Sequence, residues 1–226
     1  MTKLPWKYGT SLLTVISVTA LIFLAGIALA ADAQAPAAPS MPLNSPEAKT
    51  PLPAPSGMDT LSAIFTRRSI RKYTAAPVSD ETVKILLRAA MAAPSARNEQ
   101  SWEFVVIRDR NTLKELPNIS PFAAHVPSAQ VAILVVGNRK LEAVPGLWVP
   151  DCSNATMNIL LAAHSMGLGA VWTTLYPYEE RMAGMRKLVL LPDHVVPLAI
   201  IPLGYPAEKK HREDRFKPEK IHYEKW

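Results

Sequence analysis

Apolar residues recur at helical spacing through Met58, Leu61, Ile64 and Phe65, which predicts a first helix delivering Arg67 at its C-terminal end. Ser79, Asp80 and Glu81 open a second helix with Val83, Leu86, Leu87, Ala90 and Met91 on one face, and Pro94 closes it. The period then changes. Glu103 to Arg108, around Phe104-Val105-Val106-Ile107, reads as a short strand, and Asn111 to Leu116 as one or two helical turns. Val131 to Val136 is a continuous apolar run of strand length, as expected of a strand covered on both faces. The longest helix follows, capped by Asp151 or Ser153, with Met157, Leu160, Leu161 and His164 sharing a face and Gly167 ending it. Gly169 to Thr173 reads as a strand, Glu179 to Leu188 as a helix, and Val195 to Leu203 as the last strand.

Two helices precede the first strand, so the order is not a strict βαβ alternation. It predicts an α+β sandwich with helices packed on a central sheet. The charged stretch from Glu208 to Trp226 is poor in aliphatics yet contains Ile221, Tyr223 and Trp226. Such a tail is expected to lie across a neighbouring subunit, with those aromatics as anchors.

Ahead of this domain the pattern is different. Lys3 and Lys7 precede an uncharged apolar run from Gly9 to Ala30, and Ala28-Leu29-Ala30 and Ala33-Gln34-Ala35 are small-residue cleavage sites. Residues 1–35 therefore read as a Sec-type export signal, without a twin arginine or a lipid-accepting cysteine. Left uncleaved, the run is long enough to span a bilayer core of ~30 Å and would anchor the domain to the outer face of the cytoplasmic membrane. Either route predicts an exported domain, periplasmic or membrane-anchored. Residues 36–57 are a Pro/Ala-rich linker holding seven of the chain's 21 prolines between Pro36 and Pro55. Extended, it would reach roughly 60 Å at ~3.1 Å per residue. Residues 58–226 form the folded domain.

Composition narrows the chemistry mostly by exclusion. A formal charge of +6 without a basic-aromatic stripe gives no nucleic-acid surface. The lone cysteine, Cys152, permits no internal disulfide and reads as a small packing residue. His125, His164, His194, His211 and His222 show no metal-ligand spacing. There is no Gly-x-Ser-x-Gly, no phosphate-binding P-loop and no paired-carboxylate motif. Without an obvious acid, base or nucleophile, the reactive atoms are expected to belong to a cofactor.

Four constellations remain. Arg67, Arg68, Ser69 and Arg71 place guanidinium groups and a hydroxyl where a phosphate could be gripped; alone, the run reads at least as well as a solvated basic turn. Pro94-Ser95-Ala96-Arg97-Asn98-Glu99-Gln100-Ser101-Trp102 is a polar loop suited to the edge of a heterocycle, or merely a connection anchored by Trp102. Gly167-Leu168-Gly169-Ala170-Val171-Trp172-Thr173-Thr174 ends a helix rather than opening one, so it is no dinucleotide fingerprint. Its strand end either sets Trp172, Thr173 and Thr174 beside a ligand or simply enters the core. Lys209, Lys210 and Arg212 form a distant second cationic cluster that would complete a phosphate clamp if the two clusters meet.

In this order, Arg67 to Arg71, Pro94 to Trp102, Gly167 to Trp172 and Ile201-Pro202-Leu203-Gly204-Tyr205-Pro206-Ala207-Glu208-Lys209-Lys210 resemble the FMN-dependent nitroreductase family across nearly all of 58–226. The resemblance implies a nitroreductase-like sandwich on a mostly antiparallel sheet, in a homodimer with FMN at the subunit interface. It implies that Arg67, Arg68, Ser69 and Arg71 hold the phosphate and ribityl chain. Pro94, Ser95, Ala96 and Asn98 would approach from the partner subunit, and Trp172, Thr173 and Thr174 would lie near the flavin N5. Lys210 and Arg212, with Arg215 as a rival, would complete the phosphate clamp. The implied activity is ping-pong, two-electron reduction of nitroaromatics, quinones or similar small-molecule acceptors, with NAD(P)H as a family donor. Because an exported domain meets little NAD(P)H, a membrane quinol or an exported redox protein is the expected donor here. The alternatives are the same fold doing reductive dehalogenation or flavin breakdown, or a non-catalytic exported binder of flavin or anions. Two departures stand out. Ser101 replaces the usual proline and is expected to loosen the loop; Thr174 stands where a carboxylate or glycine is often found.

Overall fold

Five helices, α1 (Thr60–Thr66), α2 (Asp80–Met91), α3 (Arg110–Ile119), α4 (Trp148–Ser165) and α5 (Glu179–Val189), and five strands, β1 (Trp102–Ile107), β2 (Val131–Asn138), β3 (Gly169–Ala170), β4 (Thr173–Thr174) and β5 (Val195–Gly204), make up the described residues, 58–226, of this computed structural model. The predicted export signal and linker lie outside the described residues. The strands form one sheet in the order β1-β2-β5-β3, with β4 also on β5, and every strand pair is antiparallel.

The unbroken apolar run of β2 has a direct cause. Val131, Ile133 and Val135 face a core built with α2 and α4, including Leu86, Ala90, Ala155 and Ile159. Ala132, Leu134 and Val136 face the opposite core with Leu113 and Leu116 of α3 and Met185 of α5. Both faces are covered, so no polar alternation survives. The result is the α+β sandwich expected, with helices on both sides of the sheet. A register shift between Val135 and Val136, opposite Ala199 and Pro197, leaves Leu198 unpaired in the β2–β5 ladder. Pro197 has no N–H to donate there, which suits a bulge.

Three local expectations change. Neither Asp151 nor Ser153 caps α4, which starts at Trp148. Pro150 is tolerated inside the first turn, where an N–H has no intrahelical partner anyway, and Glu142 Oε2 accepts from the N–H groups of Gly146 (2.8 Å) and Trp148 (3.5 Å). The predicted strand at Gly169 to Thr173 is two short strands separated by Val171 and Trp172. Their register on β5 nevertheless runs on, from Ala170 opposite Leu203 to Thr173 opposite Ile200. Helix α3 is longer than expected, because Asp109 caps it through the Thr112 N–H at 2.7 Å.

Helix α1 forms where its periodicity predicts, but only Ala63 is buried. Leu61, Ile64 and Phe65 are 61%, 47% and 52% exposed. The tail aromatics Phe216, Tyr223 and Trp226 are also exposed. At the end of α1, the Thr66 hydroxyl donates to the Ser62 carbonyl and so must accept from His164 Nε2, 2.8 Å away. Burial, then the nearby Arg67 and Arg68, lower the pKa of His164.

Candidate functional site

The segment after α1 is fastened to the sheet by its backbone. Ile70 N–H donates to Ala170 O at 3.0 Å, and Tyr73 Oη donates to Ile70 O at 2.6 Å. Gly169 makes this approach feasible, since a Cβ there would lie 2.6 Å from Ile70 Cγ2. Arg67, Arg68, Ser69 and Arg71 are thereby presented along one edge.

The chain returns to this edge after β5. Ala207 N–H donates to Lys72 O at 2.8 Å, and Glu208 Oε1 accepts from the backbone N–H groups of Arg71 (2.5 Å) and Lys72 (3.2 Å). These bonds, first that from Arg71, together with Lys210, hold the Glu208 carboxyl below its ordinary pKa. Arg68 then binds the tail: Nε donates to His211 O at 2.8 Å and Nη2 to Glu213 O at 3.4 Å. Its Nη1 donates to the Phe65 and Arg67 carbonyls at 3.2 and 2.7 Å. Its guanidinium is thus engaged by backbone, which gives it the part of a staple.

The two cationic clusters therefore meet. They enclose a cavity of about 1070 Å³ bordered by Arg67, Ser69, Arg71, Lys210, Arg212 and Arg215, among others. Arg67 is half-buried, and its guanidinium has no acceptor among the described residues. Burial, Arg68 and Arg215 all lower its pKa, in that order. A partly desolvated guanidinium facing other cations is poised for an anion. Arg215 is held by Glu213 at 2.8 Å, whereas Arg212 lies over the Phe65 ring at 5.7 Å without a carboxylate partner among the described residues. That difference favours Arg212 as the ligand contact.

A smaller cavity of about 290 Å³ contains Trp172, Thr173 and Thr174, and Arg71 borders both cavities. Phe122, His125, Tyr178 and Arg181 line it as well. The Arg181 guanidinium stacks over the Tyr178 ring at 3.8 Å and sits 5.2 Å from Phe122, while its Nη1 donates to Thr174 O at 3.3 Å. His125 Nε2 lies 3.4 Å from Thr173 Oγ1. Burial, then Arg71, lower the His125 pKa, which favours the uncharged imidazole.

The third group is elsewhere. Pro94, Ser95, Ala96 and Asn98 border neither cavity. Their loop contains three non-glycine residues at positive φ: Arg97 (53°), Asn98 (60°) and Gln100 (51°). Ser101 does not loosen it. The Ser101 hydroxyl is fully buried and donates to Asp151 Oδ2 at 3.2 Å, fastening the loop to α4.

The sequence profile described as the nitroreductase family matches residues 64–133 and 128–205. The chain belongs to the nitroreductase family. A Methanothermobacter thermautotrophicus protein named NADH dehydrogenase/NAD(P)H nitroreductase is 53% identical over 171 residues, which are 76% of this chain and 90% of that one. A crystal structure bearing the same name from Parabacteroides distasonis is 44% identical with a TM-score of 0.72, covering 74% of this chain and 98% of that one. A nitroreductase of Desulfovibrio desulfuricans, solved in complex with FMN, is 34% identical with a TM-score of 0.66 over 75% of this chain and 99% of its own.

Within this member of the nitroreductase family, four residues of the second cavity escape sequence reasoning: Phe122, His125, Tyr178 and Arg181. His125 has no metal-ligand spacing to draw attention to it, and Arg181 lies on the first turn of α5, where a lone arginine carries no pattern. Glu208 lies in the segment that follows β5, but its acceptor role depends on backbone N–H groups 137 and 136 residues away.

Proposed function

We propose that this protein is an FMN-dependent oxidoreductase of the nitroreductase type, reducing nitroaromatics, quinones or similar acceptors by two electrons in a ping-pong cycle. The observation carrying this reading is the first cavity, where cations from both ends of the domain converge around an uncommitted, half-buried Arg67 and connect through Arg71 to a second cavity. The donor set fits FMN. Arg67, Ser69, Arg71, Lys210 and Arg212 would hold its phosphate and ribityl chain, with Arg68 keeping the tail in place. Trp172, Thr173 and Thr174 would border the ring, and His125 and Arg181 would orient an acceptor there.

FMN supplies the hydride-accepting and hydride-donating chemistry when bound. The chain's contribution is binding, orientation and charge. The separation of Pro94, Ser95, Ala96 and Asn98 from both cavities supports a homodimer in which this loop serves the other subunit's flavin. The uncovered Leu61, Ile64 and Phe65 face of α1 and the exposed tail aromatics supply apolar surface for such an interface.

The donor is NAD(P)H if the family habit holds; names of relatives point that way, and a Vibrio harveyi NADPH:FMN oxidoreductase, 27% identical, was solved with NAD+. The export signal and linker favour a membrane quinol or an exported redox protein. The test is an absorption spectrum of the full-length chain reconstituted with FMN, before and after anaerobic NADPH and then quinol. A bound-flavin band near ~450 nm is expected. Bleaching by quinol and not by NADPH supports the exported donor; bleaching by NADPH alone overturns that donor; absence of any flavin band overturns the flavin reading itself.

A further inference from the structure

We propose that Asp151 is a positioning residue that fixes the Pro94–Asn98 loop in the shape that meets the flavin; this rests on the flavin reading above. The loop's backbone is the starting point. Arg97, Asn98 and Gln100 occupy the left-handed region that L side chains rarely adopt, and such a run persists only where the surroundings over-determine it. Part of the constraint is internal: Gln100 N–H donates to Ser95 Oγ at 3.0 Å, and Gln100 Nε2 donates to Asn98 Oδ1 at 2.9 Å.

The rest comes from α4. Asp151 Oδ1 accepts from the Ala96 N–H at 2.8 Å, and Oδ2 accepts from the Ser101 hydroxyl at 3.2 Å. One carboxylate thus grips both ends of the strained run. Asp151 is 3% exposed and has no cationic partner among the described residues, so these two donors account for its burial. One turn on, Asn154 Nδ2 donates to Pro94 O at 3.4 Å. Glu99 Oε2 accepts from Ala143 N–H at 3.0 Å and holds the middle of the loop. The platform is rigid, since Cys152, Ala155 and Ile159 of the same helix are fully buried in the core. Ala96 is one of the residues expected to reach the flavin, and its own N–H is what Asp151 holds.

The experiment uses the full-length chain and the variants Asp151→Ala, Asp151→Asn and Ser101→Ala. Three quantities are read: the Kd for FMN, the Kd for inorganic phosphate, and the exchange protection of the Ala96 amide. Asp151→Ala should raise the FMN Kd about tenfold or more, as befits a lost charge-assisted contact. It should also leave the phosphate Kd within about twofold, because the cationic cavity does not involve this loop, and abolish Ala96 protection. Asp151→Asn should recover most of the FMN affinity, since its amide oxygen can accept from Ala96 while its NH₂ donates to Ser101. Ser101→Ala keeps the carboxylate and should cost about threefold; it carries the test if Asp151→Ala does not fold. Unchanged FMN affinity in Asp151→Ala and Ser101→Ala, an equal loss for FMN and phosphate, or no recovery in Asp151→Asn overturns the proposal. If the wild-type chain fails to bind FMN, the flavin reading falls, and retained Ala96 protection in Asp151→Ala independently sinks the loop's dependence on Asp151.

Discussion

Adding a single methyl group at Gly169 should dislodge the segment that presents Arg67 and Arg71. An ideal Cβ there lies 2.6 Å from Ile70 Cγ2 and 2.8 Å from Ile70 Cβ. A Cβ atom is not a flexible side-chain end, so relief requires the Ile70 backbone to move. That backbone is held by the bond to Ala170 O and by the Tyr73 hydroxyl. Overpacking of this kind costs about 1–3 kcal/mol, and weakening one of those bonds adds about 0.5–1.5 kcal/mol. Gly169→Ala should therefore lose about 2–4 kcal/mol. For a domain of this size each kcal/mol moves Tm by about 2–4 °C, so the melting point should fall by roughly 5–15 °C. Thermal unfolding of the full-length chain by circular dichroism measures this directly. The matched comparison is Gly184→Ala in α5, whose Cβ would sit 3.3 Å from the Cγ atoms of Ile119. There the helix gains up to ~1 kcal/mol from alanine, which offsets the tight contact, and Tm should stay near the wild-type value. A Gly169→Ala protein melting within about 2 °C of wild type would refute the reasoning, as would an equal fall in both variants.

Two further outcomes follow from groups with displaced titration. The Glu208 carboxyl has its folded pKa lowered by the Arg71 and Lys72 N–H groups, so the stability it contributes is present above the ordinary value of 4.5 and is lost as pH falls through the lower folded value. Urea midpoints between about pH 5 and pH 3 should accordingly fall less steeply in Glu208→Gln than in wild type; parallel slopes would count against the contact. Cys152 is fully buried, and burial followed by the neighbouring Asp151 pushes its thiol up to about 12. At mildly alkaline pH a thiol reagent should label it only after denaturation, and prompt labelling of the native chain would contradict that burial.

Element positions were legible in the chain because their causes are local. The apolar run at Val131 to Val136, the Ser79 cap and the left-handed Gly167 each act within a few residues, and α2, β2 and β5 lie where the pattern sets them. The start of α4 was not legible, because Asp151 looks like a cap and instead serves a loop 50 and 55 residues upstream. Ser101 misled for the same reason: its hydroxyl matters only once α4 lies beneath it. The meeting of Arg67 and Arg71 with Lys210 and Arg212 was legible only as a condition, since β5 and the Glu208 contact decide it. His125 and Arg181 enter the second cavity through the packing of separate segments, which no short motif encodes.

Arg67 and Arg71 precede the sheet in the chain, whereas the wall carrying Lys210, Arg212 and Arg215 follows β5. Both cores are built from residues no later than Leu203 and draw nothing from that wall. Anion binding is therefore separable from the packing of the domain. Cleavage after β5 would leave both cores their full set of residues and the anion cavity half its cations.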